Sequence, residues 1–342
     1  MSDFVTTALK ESGLHIPAKT MGIGVELPED FDKIPAYPLK TKKAVKFLHI
    51  SSAFPRKGVD VLLKAYFEAF TKEDDVCLIL KTFDNPHNEV KSQLEALIDQ
   101  YPNPPEVEWI NRDMPQNELF GLYKSVDCYV PVARGEGFGL PVAEAMLAKL
   151  PVIVSPNTGL ADFCNEETAI LVDYEMVPAQ SHVSEERSLW AEPNLLTLTE
   201  KFRQFATQPE SLELAEKISN AHRLISEKYT WGKVAQRWTD FIDEVQRIQD
   251  KPQVALVTTW NHKCGIAEYS RLLYEAMRNY VDFTIYPNYG VELIRRDEDF
   301  VGQRVWDSAL SGDLLRLTEV LDQNLCTVVH FQFHMVYFNL EQ

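Results

Sequence analysis

Pro131–Pro156 reads PVARGEGFGLPVAEAMLAKLPVIVSP. A strand ends near Val132, and a glycine-rich turn follows, Gly135-Glu136-Gly137-Phe138-Gly139. Pro141 then stands where the first helical residue is expected, a position that tolerates its missing N–H. The helix runs through Val142, Ala145 and Met146, and Pro151 opens the next strand. Strand, tight turn, helix, strand is the repeating unit of a parallel sheet. The free N–H groups at the helix start, with the helix dipole, form an anion site suited to a diphosphate. Gly137 and Gly139 allow a ligand close to the backbone. Glu136 lies in the turn and Glu144 two turns into the helix, with seven residues between them.

The same alternation extends upstream. Apolar runs stand at Val45–Ile50, Val76–Leu80, Val107–Ile110, Cys128–Val132, Val152–Val154 and Ala169–Val172. They are short, β-branched and nearly continuous, as parallel strands buried on both faces must be. Between them, Leu62, Ala65, Tyr66, Ala69 and Phe70 fall at helical spacing. Asp113–Gln116 spaces a capping box before Leu119, Leu122 and Tyr123. The fold class is therefore α/β, a Rossmann-like doubly wound parallel sheet.

Past residue 195 the pattern is helical, with Trp231, Val234, Trp238, Phe241 and Val245 in one stripe and Thr230 as N-cap. It stops at the polar break Gln249-Asp250-Lys251-Pro252. A strand at Val254–Thr258, a turn at Asn261–Gly265 and a helix carrying Ile266, Tyr269, Leu273 and Met277 then open a second α/β unit. Further strands are expected at Phe283–Tyr286 and Thr327–Phe333. The N-terminus predicts a helix over Met1–Gly13 and a strand-like stretch over Lys19–Val25. A lone helix before the first strand, and a second unit of about 90 residues, suggest a piece of something longer. The other reading is a complete protein with peripheral decorations.

The chain has 342 residues, about two domains. Its 34 Lys+Arg against 51 Asp+Glu leave −17, which disfavours non-specific nucleic-acid binding and docking on anionic membranes. No apolar run approaches the 18 residues of a membrane span, and MSDFVTTALKESG does not read as a signal peptide. The five cysteines are far apart and contain no CxxC, so they read as reduced thiols, and the chain as cytoplasmic.

The glycine turn alone is weak: a dinucleotide GxGxxG from Gly135 would need glycine where Leu140 stands. Taken singly, Glu144 also reads as a solvated helix residue, Arg56 as a turn residue and Lys81 as surface charge. The whole string E-G-F-G-L-P-x-x-E-A-M, followed by P-V-I, is far more specific. It resembles the E-x7-E region of GT-B retaining glycosyltransferases of family 4. Phe54–Leu62 (FPRKGVDVL) resembles their RKG turn, Leu119–Asp127 the helix before the E-x7-E strand, and Trp190–Pro193 a W-A-E-P element of one branch. Ser2–Gly24 is similar to the end of an acceptor-side domain, with Met21–Val25 the crossing. Val257–Ser270 and Val329–Phe333 are similar to the start of another N-terminal half.

The resemblance implies residues 1–25 as the tail of a preceding N-terminal domain and 26–248 as the donor-binding C-terminal domain. Residues 252–342 would be the partial N-terminal domain of a second module, within a tandem enzyme of surface-polysaccharide assembly. It implies hexosyl transfer with retention from a sugar nucleotide to a glycan or lipid-linked acceptor. GDP-mannose comes first, which would make this a mannosyltransferase; UDP-sugars stay open. Transfer would proceed by front-face attack, the leaving diphosphate helping to take the acceptor proton. The alternative is a nucleotide-sugar-binding module without activity, its acceptor half being nearly absent. No metal or other cofactor is required, and weak peripheral membrane association would come through the parent protein.

By the same resemblance Lys57 binds phosphate with the N–H groups of Gly139 and Leu140, and Glu136 holds the donor sugar near its anomeric carbon. Glu144 accepts both ribose hydroxyls. Gly137 and Phe138 complete the loop, Arg112 to Met114 border the base, and Lys81 faces the cleft. The family's arginine six residues before the lysine is replaced here by Ser51, and Arg56 could substitute. His262, His330 and His334 either line the second module's cleft or are structural. Asp74-Asp75, the nearest thing to a DxD metal motif, reads as a solvated turn.

Overall fold

The computed structural model describes residues 2–14, 18–180, 188–245, 251–289, 293–294, 302, 304–306, 313–324 and 326–332. The chain divides into two compact units, Ile23–Trp231 and Met1–Gly22 with Gly232–Gln342. In chain order the elements are α1 (Asp3–Glu11), β1 (Val45–Ile50), α2 (Val59–Ala69), β2 (Val76–Thr82), α3 (Val90–Gln100), β3 (Glu106–Asn111) and α4 (Gln116–Tyr123). Then come β4 (Cys128–Tyr129), α5 (Leu140–Leu147), β5 (Ile153–Val154), β6 (Ile170–Leu171), β7 (Tyr174–Pro178) and β8 (Leu189–Pro193). The remainder are α6 (Leu195–Thr207), α7 (Leu212–Lys228), α8 (Trp231–Val245), β9 (Gln253–Thr258), α9 (Gly265–Met277), β10 (Asp282–Pro287), α10 (Asp313–Gln323) and β11 (Val328–Gln332).

The Ile23–Trp231 unit is built on a parallel sheet ordered β3-β2-β1-β4. A bridge from Tyr129 to Val152 continues it to the parallel pair β5-β6, giving the doubly wound order 3-2-1-4-5-6. Side chains alternate across the pleat. Phe47, Leu78, Leu80 and Val130 enter one core, and Leu48, Cys77, Ile79 and Tyr129 the other. Both faces are buried, which is why the strands read as continuous apolar runs. Phe47 anchors the first core, its ring 4.8 Å from Phe202 of α6 and 5.5 Å from Phe205. β7 and β8 form an antiparallel hairpin that carries Trp190-Ala191-Glu192-Pro193.

In the other unit, parallel strands run β10-β9-β11. Tyr286, Trp306 and Leu317 lie in their core. Trp238 of α8 packs against His330, ring centroids 4.5 Å apart and the planes tilted by 52°. Among the described residues no helix is long and apolar enough to cross a membrane.

Three expectations are corrected. Lys19–Val25 forms no strand; its backbone groups find single partners in helical segments, as Met21 O accepts from Arg237 and Val25 N–H donates to Tyr229 O. The N-cap position of α4 is Pro115, not Asp113, since the residue before a proline is kept out of helical conformation. Pro141 is the second helical residue, not the first, with Gly139 as N-cap. The polar break at Gln249-Asp250, together with Phe333 and His334, lies outside the described residues.

Candidate nucleotide-sugar site

The turns after β1 and β4 meet at the carboxyl end of the sheet, where a doubly wound fold binds ligands. After β1 the chain passes through His49, Ser51 and Ala53. His49 is buried, with Nδ1 2.8 Å from Val130 O and Nε2 2.9 Å from Ser51 Oγ. A carbonyl can only accept, so Nδ1 carries the proton and Ser51 donates to Nε2. Ser51 Oγ in turn accepts from Ala53 N–H at 3.1 Å, steadying a non-glycine residue at φ 54°. Burial, above all, lowers the His49 imidazole to about 4, so it stays neutral. Ser51, where the family places an arginine, is thus a strut between β1 and the next turn.

Pro55-Arg56-Lys57 forms a single 3-10 turn that ends on Gly58 at φ 68°. A Cβ there would lie 2.2 Å from Val132 O, so only glycine lets this turn seat against β4's extension. Arg134 N–H donates to Arg56 O at 2.7 Å and joins the two turns. Lys57 Nζ bonds Glu136 Oε1. Arg56 sits 3.6 Å from the other Glu136 oxygen and donates to Gly135 O at 3.1 Å. Burial, then the adjacent Arg56 charge, draw the Lys57 ammonium below its ordinary value, and Glu136 opposes them.

The glycine loop is clamped from its far side. Thr158 Oγ1 accepts from Glu136 N–H at 2.8 Å, and Gly159 N–H donates to Glu136 O at 2.9 Å. Gly137 is buried. Phe138 turns its ring into the core, 5.2 Å from Phe163 and 5.4 Å from Tyr229, so it offers a ligand no side chain. Gly139 has φ 92°, and a Cβ there would strike Leu160 at 2.3 Å. Its glycine is thus needed for conformation and packing, beyond any ligand approach. Leu140 is exposed, and the α5 start carries the N–H groups of Gly139 and Leu140.

Glu144 is not the solvated helix residue that it could have been. It is half-buried and accepts from the Tyr123 hydroxyl at 2.9 Å. Burial pushes its carboxyl up to about 7, against the pull of that bond. The folded chain therefore holds a proton that the unfolded chain has lost, so stability falls as pH rises from about 4.5 to about 7 and is level above. Urea denaturation of Glu144→Gln alongside the parent chain checks this. The variant gains about 1–3 kcal/mol on the parent between pH 5 and pH 8; a pH-independent difference would contradict the assignment.

Lys81 is likewise no surface charge: it is buried, donates to Thr82 O at 3.1 Å and lies over the Phe83 ring. Arg112 makes contacts of its own. It is exposed and paired with Glu118, with Tyr37 Oη at 3.3 Å, while Met114 packs half-buried against the core. In the other unit His330 is half-buried, lowered to about 3 chiefly by desolvation, and bonded to Gln332, which fits the structural alternative. His262 lies half-buried in the turn before α9.

Sequence reasoning passed over Arg134. It is 5% exposed and ties three motifs together. Nε and Nη2 bond Glu192 at 2.6 and 2.7 Å, Nη1 and Nη2 bond Asp60 at 2.8 and 2.7 Å, and Nη1 also reaches Pro55 O. Its guanidinium stacks 4.5 Å over the Trp190 ring. The signal was available: a lone arginine between an apolar run and the glycine turn needs carboxylate partners.

Residues 30–185 match the family model described as "Glycosyl transferases group 1". An uncharacterized glycosyltransferase 335 of Sulfolobus islandicus rod-shaped virus 1 is 28% identical over 163 residues, 44% of this chain and 45% of that protein. Among solved structures, sucrose-phosphate synthase from Thermosynechococcus elongatus superposes with TM-score 0.53 at 18% identity, over 72% of this chain and 57% of that one. A glycosyltransferase from Rickettsia africae ESF-5 gives 0.54 at 17%, over 72% and 63%. The chain thus spans between 45% and 63% of these relatives' lengths. The structural likenesses identify the fold, GT-B-like with parallel sheets. Across residues 30–185, the chain is similar to the glycosyl transferases group 1.

Proposed function

We propose that the Ile23–Trp231 unit binds a sugar nucleotide and supplies the donor half of a retaining hexosyltransferase of family 4. The observation that carries this is the half-buried Lys57–Glu136 pair at the glycine turn, with the Glu144 carboxyl on the helix that the turn starts. A diphosphate would take Lys57 and the N–H groups of Gly139 and Leu140. The negative charge that builds on it as the glycosidic bond breaks would be met by these same donors. Glu136, released from Lys57, would face the donor sugar, and Glu144 would accept from the ribose hydroxyls. Ser51 leaves the site one cation short of the family pattern, and Arg56, 3.6 Å from Glu136, stands where it can substitute.

GDP-mannose is the favoured donor on the W-A-E-P resemblance, with a glycan or lipid-linked acceptor, no required metal, and a cytoplasmic tandem parent. A second reading is a nucleotide-sugar-binding module without turnover. Calorimetric titration with GDP-mannose and UDP-glucose, with the products analysed for free sugar and nucleoside diphosphate, tests both. Binding with release of sugar supports the enzyme, and binding without it supports the module. Absence of binding to either nucleotide would sink the donor site.

A further inference from the structure

Beside the Lys57–Glu136 pair, across the Pro55–Lys57 turn, the Ile23–Trp231 unit opens a second cleft of about 610 Å³. That is within the usual range for a small-molecule site. Its lining is chemically mixed. Phe54 and His87 pair their rings at 5.1 Å, and Trp190 adds a third flat side chain. Asp60, Glu192 and Glu89 supply carboxylates, and Gln93 an amide. Two polar atoms of this lining are buried without a hydrogen-bond partner, the acceptor Gln93 Oε1 and the donor Trp190 Nε1. An orphaned buried polar atom is unfavourable, so a small side-chain rotation that gives each of them a ligand group to bond would be favoured.

The charges narrow the ligand class. Arg134 lines the cleft, but its five N–H donors already make five bonds, to Glu192, Asp60 and Pro55 O. It has no donor left for a phosphate or carboxylate. The same bonds neutralise Asp60 and Glu192 in part, yet take only two of the roughly four lone-pair positions of each carboxylate. What remains is an acceptor-rich wall of modest negative charge beside aromatic faces. A hydroxyl suits it best, because it donates to the carboxylates and Gln93 and accepts from the indole N–H, while sugar C–H faces pack on the rings.

We infer that this cleft is a binding site for a neutral saccharide of two or three units. The binding stands independently of the donor-site reading. A further role as the seat of the acceptor glycan rests on that reading, since Arg134 is two residues from Glu136.

The test uses the chain as it stands, without nucleotide. Mannobiose, maltotriose and cellotriose are titrated while the indole N–H signals of the six tryptophans are followed by 15N NMR. The expected result is a saturable shift of one indole signal with at least one saccharide, lost on Trp190→Phe. Binding weakens about tenfold in Gln93→Leu and in Glu89→Ala, variants whose circular dichroism matches the parent chain. Three results would overturn the inference: no saccharide bound, binding by both variants as strong as by the parent chain, or binding of oligolysine but of no saccharide. GDP titrated separately reports on the donor site, so failure of one reading is distinguishable from failure of the other.

Discussion

Replacing Lys57 by alanine weakens GDP binding by about ten- to a hundredfold, the value of a charge-assisted contact to phosphate of about 1.5–3 kcal/mol. Two effects act together. The diphosphate loses a half-buried cation, and Glu136, 14% exposed, loses its closest cation and turns its carboxylate toward the ligand. The second effect makes a distinctive prediction. Glu136→Gln in the Lys57→Ala background recovers part of the lost affinity, although Glu136→Gln alone recovers nothing. Calorimetry on the four proteins of this cycle checks it, and strict additivity would show that Lys57 and Glu136 do not act on one ligand.

Arg134→Ala has the largest expected effect on stability, about 3–5 kcal/mol, the range for removing one partner of a buried ion pair. The variant leaves Glu192 and Asp60 facing each other without their cation, frees Pro55 O and uncovers Trp190. In a unit of this size that lowers the melting temperature by about 6–20 °C. Arg134→Lys does not restore it, since an ammonium cannot make the two planar forks. A loss below about 1 kcal/mol in scanning calorimetry would show that the network contributes little.

How much of this was legible in the sequence follows from which residues obey local rules. The strands were legible because burial on both faces leaves a run such as Val45-Lys46-Phe47-Leu48-His49-Ile50 nearly unbroken. The same rule misreads Lys19–Val25, where Met21 and Val25 are buried but the backbone pairs with no strand among the described residues. Periodicity reports burial; pairing is a tertiary fact. The capping box at Asp113 failed because Pro115 dictates where α4 begins. The W-A-E-P element was visible as a string, but its reason was not. Glu192 and Trp190 serve Arg134, far away in sequence, and spacing cannot show that contact. His49 was hidden within an apolar run, and its partner Ser51 read as a gap in the family pattern. The two form a neutral strut under the Pro55–Lys57 turn.

The central claim is that the turn at Lys57 and the loop at Glu136 form one diphosphate site, with the ribose on Glu144. A crystal of the chain soaked with GDP-mannose tests it directly. The account predicts diphosphate oxygens within hydrogen-bond reach of Lys57 Nζ and of the Gly139 and Leu140 N–H groups, and ribose hydroxyls on the Glu144 carboxyl. A nucleotide bound with its diphosphate away from Lys57, or with its ribose away from Glu144, would contradict it.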